Sequence, residues 1–248
     1  VSDDYCIAGG VPSEHLKRTR ALLLLAAVVL PFSSRLNARE YEFLPEVDSF
    51  LKLSEVSRLY LNSQVTIVRP NGVTQTEAGA NFDITLTPIF RRHLRTDDWE
   101  HDRYLWMRVG YEVYGSPDDE GHGPTERRGV VEGTAQARLS TLYRVWIVSR
   151  LRVDFRDIGG SFSKRYRFRL VVEKEMRGGN GKTIVPYIRA ETLYDTRYNA
   201  WNRQIYTAGI EIEATRHWRL EPYVSRQYDS HSPTANVDQI GVQLKAYW

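Results

Sequence analysis

Apolar and polar residues alternate with a period of two along most of this chain, the pattern of strands whose two faces meet different surroundings. In Leu105, Met107, Val109, Tyr111 and Val113 one face is apolar, while Arg108 and Glu112 stand on the other. Val145, Ile147, Leu151, Val153 and Phe155 alternate with Arg150, Arg152, Asp154 and Arg156, and Tyr166, Phe168, Leu170 and Val172 with Arg165, Arg167, Arg169 and Glu173. Tyr206, Ala208, Ile210 and Ile212 interleave with Thr207, Gly209, Glu211 and Glu213, and the closing stretch from Ile240 to Trp248 interleaves with Gln239, Gly241, Gln243, Lys245 and Tyr247. Weaker alternation marks 45–53, 57–69, 80–91, 127–141, 183–194 and 218–229. From Arg39 onward there is no heptad and no helical period.

These segments number about eleven, most of them 10 to 15 residues long, where strands of soluble sheets usually have about five or six. Such lengths suit tilted strands that cross a bilayer. Tight turns at 53–57, 141–144 and 215–217 and longer polar loops at 115–128, 195–202 and 229–237 suggest a meander with a turn side and a loop side. The expected fold is therefore all-β: an antiparallel up-and-down transmembrane barrel. Twelve strands are favoured over ten, because an even number follows when both termini face the periplasm. With eleven counted, either one strand is missed, between Arg39 and Val47, or one is false, 45–53. Pro88, Pro186 and Pro222 fall inside expected strands, which places them near a rim or a bulge.

Alternation alone does not say which face is wet. A periplasmic lipocalin-like binding barrel would turn the apolar residues inward, a membrane barrel toward lipid. The strand number, the tyrosines and tryptophans near strand ends and the terminal aromatic Trp248 favour the membrane. A final alternating strand closed by an aromatic resembles the signal by which bacterial outer-membrane barrels are recognised for assembly. That implies outer-membrane lipid and the barrel-assembly machinery as partners.

The amino-terminal part supports export. Lys17, Arg18 and Arg20 precede the apolar run Ala21–Leu30, followed by Pro31, small polar residues and Leu36-Asn37-Ala38. This is the layout of a secretory signal helix with its cleavage point. Residues 1–38 are read as a signal peptide with an over-called extension and 39–248 as the barrel. The only cysteine, Cys6, lies in the first part, so disulfides and thiol chemistry are not expected in the mature chain. The longest apolar run, Ala21 to Phe32, is too short for a spanning helix, which needs about 20 residues.

Composition adds one peculiarity. Across 248 residues the net charge is only +3, with no basic block, so nucleic acid is not an expected partner. Yet 28 of the 34 cationic side chains are arginine and six are lysine.

Several segments resemble an uncharacterised outer-membrane β-barrel family, catalogued as domain of unknown function twenty-four ninety. The matching pieces are Ser149-Arg-Leu-Arg-Val-Asp-Phe-Arg156, Arg165-Tyr-Arg-Phe-Arg-Leu170, Asn202-Arg203 with Gly209, and Leu220-Glu-Pro-Tyr223 with Gln227. They cover roughly the last 120 residues, with a looser match from Val47. The resemblance implies a fold and a compartment, and no activity.

With the apolar face toward lipid, the lumen would be lined by Arg108, Glu112, Arg150, Arg152, Asp154, Arg156, Arg165, Arg167, Arg169, Glu173, Arg189, Glu191, Glu211 and Glu213, joined by Asp83, Glu132, Arg138, Arg219 and Glu221. A lumen of ten to twelve strands is little wider than the side chains that fill it. Arginine suits such a place, because its planar fork binds carboxylates in pairs and stays charged when partly buried. Two uses follow: a structural brace of Arg–Glu ladders, or a narrow passive, porin-like channel for small solutes. An outer-membrane hydrolase or lipid-modifying enzyme is the alternative. Its candidate groups are His231 with Asp229 and Ser230, and His122 with Asp118, Asp119 and Glu120, the latter also a possible carboxylate site for a hard cation. His93, His101 and His217 form no recognisable spacing, and no residue is assigned as catalytic, metal-binding or cofactor-binding.

Overall fold

The computed structural model describes residues 40–68, 72–86, 104–115, 126–178, 181–231 and 236–248. Alternation becomes strand throughout: β1 (Glu40–Lys52), β2 (Ser57–Val68), β3 (Gly72–Thr85), β4 (Leu105–Gly115), β5 (Glu126–Ser140), β6 (Val145–Ile158), β7 (Ser161–Lys174), β8 (Met176–Arg177), β9 (Thr183–Asp195), β10 (Ala200–Glu213), β11 (Trp218–Asp229) and β12 (Asn236–Tyr247). No helix occurs among the described residues. The signal peptide, Pro88 and the His122 group lie outside them.

Each long strand pairs antiparallel with the next, and the two-residue β8 only extends the β7–β9 hairpin by pairing with the start of β9. The ring closes where β1 meets β12, from Glu40↔Val237 to Phe50↔Tyr247, and this pair is parallel. The barrel thus has eleven strands with one extra short strand beside it. Eleven alternating directions bring the first and last strands together running the same way, so the closed ring does not have the even number expected from the sequence. The segment 45–53, suspected as false, is the body of β1, which begins at Glu40 and absorbs the strand sought before Val47. β3 begins at Gly72, not near position 80. Its early outward positions are Thr74, Thr76, Ala78 and Ala80, too small and polar to signal alternation.

Closure fixes the two rims. Trp248 pairs by backbone with β1 (Trp248 N to Phe50 O, 2.9 Å; Lys52 N to Trp248 O, 2.8 Å), on the same rim as the turns 53–56, 141–144 and 214–217. The opposite rim carries the start of β1, the turn 196–199, and the strand ends Gly115, Glu126, Asp229 and Asn236. The division into a turn side and a loop side is incomplete. Thr85 and Leu105, the strand ends joined by a long stretch of sequence, are on the Trp248 rim, and the tightest described turn, Gly159-Gly160, is on the other. Both glycines have positive φ (56° and 83°), the backbone a two-residue hairpin needs to match strand twist. Pro186 and Pro222 occupy regular paired positions opposite Ile210 and Val242, away from the register shifts at Thr66/Ile67, Arg138/Ser140 and Trp201/Arg203.

The two faces of the wall have opposite characters. Val47, Val109, Tyr111, Leu151, Phe168, Ile188, Val224 and Ile240 are exposed on the outside, with Leu151 63% accessible. Asp83, Glu112, Arg108, Glu132, Asp154 and Glu191 are buried inside. The inside is therefore the polar side of every strand.

Candidate functional site: the charged barrel interior

The interior is built from residues of one parity on each strand, and most of its arginines and carboxylates meet across neighbouring strands. Asp83 on β3, fully buried, receives Arg58 Nε from β2 (2.8 Å) and two bonds from Arg108 on β4, Nε at 2.6 Å and Nη2 at 2.9 Å. These guanidiniums lie on aromatic faces, Arg58 4.3 Å from the Phe50 ring centre and Arg108 3.9 Å from that of Tyr60. Phe50 in turn stacks between Tyr60 and Tyr247, at 4.8 and 4.9 Å.

The next network runs from β4 to β9. Arg152 bonds both Glu112 and Asp154, and Arg167 gives Nε and Nη2 to Glu191 Oε1 at 2.8 and 2.6 Å. The other oxygen of Glu191 takes Arg169, and Arg150 reaches Glu132 at 3.2 Å. Toward the rim that carries Gly159-Gly160, Glu126 holds Arg128 and Arg156, while Asp195 holds Arg156 (2.7 Å), Arg165 (3.0 Å) and Arg197 (3.0 Å). Across the barrel, Glu211 takes Arg219 (2.9 Å) and Lys245 (2.6 Å), and Glu221 takes Lys245 and the Tyr187 hydroxyl. The carboxylates neutralise the guanidiniums, and Arg108, Arg152, Arg156 and Arg167 each tie two or three strands together.

The networks leave a central cavity of about 600 Å³. Of the positions expected inside, Arg108, Glu112, Arg150, Arg152, Arg165, Arg167, Arg169, Glu173, Arg189, Glu191 and Glu211 line it. Asp154 and Arg156 are buried in the ion-pair networks and do not line it. Glu213 sits at the end of β10 and accepts the backbone N–H of Thr183 at 3.1 Å. Arg138 lies beside the Trp146 ring, 5.0 Å from its centre.

Sequence reading missed one wall. Glu42, Glu46 and Asp48 of β1, Glu77 of β3 and Gln239 and Gln243 of β12 also line the cavity. The signal was available, because the acids of β1 alternate with the outward Tyr41, Phe43, Val47 and Leu51. The arginines gather instead on β6, β7 and β9, about half a ring away.

At the rim, Ser230 Oγ and His231 Nδ1 are 2.8 Å apart, and the His231 ring stacks on Tyr198 at 4.4 Å. Asp229 does not orient that ring. Its carboxylate accepts the His231 backbone N–H (2.9 Å) and Arg203 Nε (2.8 Å), so the three side chains do not form a relay. Among the described residues no three His, Cys, Asp or Glu side chains converge on a metal-sized site. Comparison with protein-family models and with curated proteins gives no match.

Proposed function

We propose that this protein is an outer-membrane barrel of a Gram-negative bacterium, whose arginine–carboxylate brace surrounds a narrow passive passage for small solutes. The observation that carries this reading is the reversal of faces, with exposed aliphatic and aromatic side chains around the outside and ionised ones within. A soluble protein rarely exposes a contiguous apolar surface beyond a few hundred Å², whereas lipid is the solvent that such a surface requires. A periplasmic lipocalin-like barrel would need the reverse arrangement, with an apolar interior to hold an apolar ligand. Rims agree with the membrane reading: Tyr143, Trp218 and Trp248 are exposed at one, and Tyr41, Phe162, Trp201 and Tyr228 at the other. The signal-like amino terminus, the terminal Trp248 and the family resemblance point the same way.

The interior supports the second half of the proposal. A cavity of about 600 Å³ admits small polar molecules, and the cross-strand ion pairs keep its wall from collapsing or widening. Fractionation tests the reading: the protein should sediment with the outer membrane and migrate differently before and after heating, as a closed hydrogen-bonded barrel resists detergent. Recovery in the soluble periplasm would overturn it.

A further inference from the structure

Charge pairing inside the barrel is uneven. Most interior carboxylates are met by guanidiniums or by Lys245, Asp83 of β3 among them, but Glu42, Glu46 and Asp48 of β1 and Glu77 of β3 are not. Glu42 accepts from Gln239 Nε2 (2.7 Å), Glu77 from Asn62 Nδ2 (3.1 Å), and Gln243 Nε2 bridges Glu46 (2.9 Å) and Asp48 (2.6 Å). None of these four acids forms an ion pair among the described residues. Amide donors fix a carboxylate in place without cancelling its charge.

Arg189 on β9 is the counterpart. It lines the same cavity and has no carboxylate within ion-pairing distance among the described residues. Its one hydrogen bond there goes from Nη2 to Thr207 Oγ1, at 3.3 Å, and the Tyr187 and Tyr223 rings lie 5.8 Å away. A guanidinium has five N–H donors in a fork that fits a carboxylate, so most of its bonding capacity is left open. The cross-strand row Arg189↔Thr207↔Ser225↔Gln239↔Glu42 links the free cation to the acidic strip with only neutral side chains between. Four strand spacings of about 4.8 Å make an arc of about 19 Å along the wall, and the straight path across the cavity is shorter.

We propose that the cavity binds a zwitterion of dipeptide size, with its carboxylate on Arg189 and its ammonium on the strip formed by Glu42, Glu46 and Asp48. A simple anion would meet acids that no guanidinium or ammonium pairs directly, and a simple cation would gain nothing from Arg189. An α-amino acid carries its two charges on adjacent carbons, a shorter span than the four-strand row from Arg189 to Glu42 suggests. A dipeptide with free termini separates them by several bonds and fits the volume. This inference deepens the passage reading and rests on it for its biological sense, although binding itself is measured separately.

The test uses the full barrel in detergent, titrated calorimetrically with dialanine, N-acetyl-dialanine and dialaninamide. Dialanine should bind at least tenfold more tightly than either blocked peptide. The Arg189→Gln variant should bind dialanine and dialaninamide alike, and Glu46→Gln should narrow the gap between dialanine and its N-acetyl form. Equal binding of the three peptides to the wild type, or no saturable binding of dialanine, overturns the site whatever the variants do. Liposome flux separates the two readings. Passage of small solutes without dipeptide discrimination leaves the channel and removes this site, while discriminating binding without flux retains the site and removes the channel.

Discussion

The ring of Tyr223 lies flat against Gly241, its paired residue on β12, so closely that a Cβ at position 241 would stand 2.0 Å from the ring Cζ. The absence of a side chain at Gly241 gives the tyrosine its place along the inner wall beside Arg189. Gly241→Ala should force the ring off the wall and cost about 1–3 kcal/mol of thermal stability in detergent. In the background of Tyr223→Ala the same alanine should cost much less, and additive effects in this double-mutant cycle would contradict the contact.

Glu191 holds both Arg167 and Arg169, whereas Arg167 shares its charge between Glu191 and Asp154. Arg167→Gln should therefore lower stability by about 1–3 kcal/mol. Glu191→Gln should lower it further, since it takes the carboxylate from Arg169 and leaves Arg167 only the more distant Asp154. Melting of the purified variants measures both, and an unchanged melting temperature in Glu191→Gln would show that these pairs do not brace the wall.

Leu151 points away from the barrel on β6, between Arg150 and Arg152, which point in. If lipid surrounds it, Leu151→Arg should cost about 2–4 kcal/mol, and assembled protein should fall. On a soluble barrel the same change at an exposed site would be nearly neutral. Equal yields of wild type and variant would count against the membrane reading.

Trp248 joins the closing seam through its backbone and stacks on His217 at 5.5 Å, with Trp218 edge-on at 5.9 Å. Trp248→Asp should reduce the heat-modifiable, assembled form while export continues, as followed by pulse labelling. Normal assembly would show that neither the terminal aromatic nor its contacts guide closure.

Because β1 and β12 are parallel, the start of β1 and the end of the chain lie on opposite rims. If the outer-membrane proposal holds and the Trp248 rim is periplasmic, the hairpin at Ser161 faces the outside and the turn at Leu142 the periplasm. In a Cys6→Ser background, an impermeant maleimide on intact cells should label the Ser161→Cys variant and spare Leu142→Cys. The reverse labelling would invert the orientation.

The sequence by itself determined the strands. A period of two is local, and any strand separating oil-like from water-like surroundings must write it into neighbouring residues; hence β4, β6, β7 and β10 were legible, and the early half of β3, with threonine and alanine on its outer face, was not. The inward parity of Arg108, Arg167 and Glu191 followed from the same pattern. Only the tertiary structure decided the ring of eleven and its parallel seam, because closure depends on which distant strand edges meet and no local signal encodes it. It alone also decided that Glu191 meets arginine while Glu46 meets an amide. Pairing across strands depends on register, and a charge's partner is set by the residue that the fold brings opposite it.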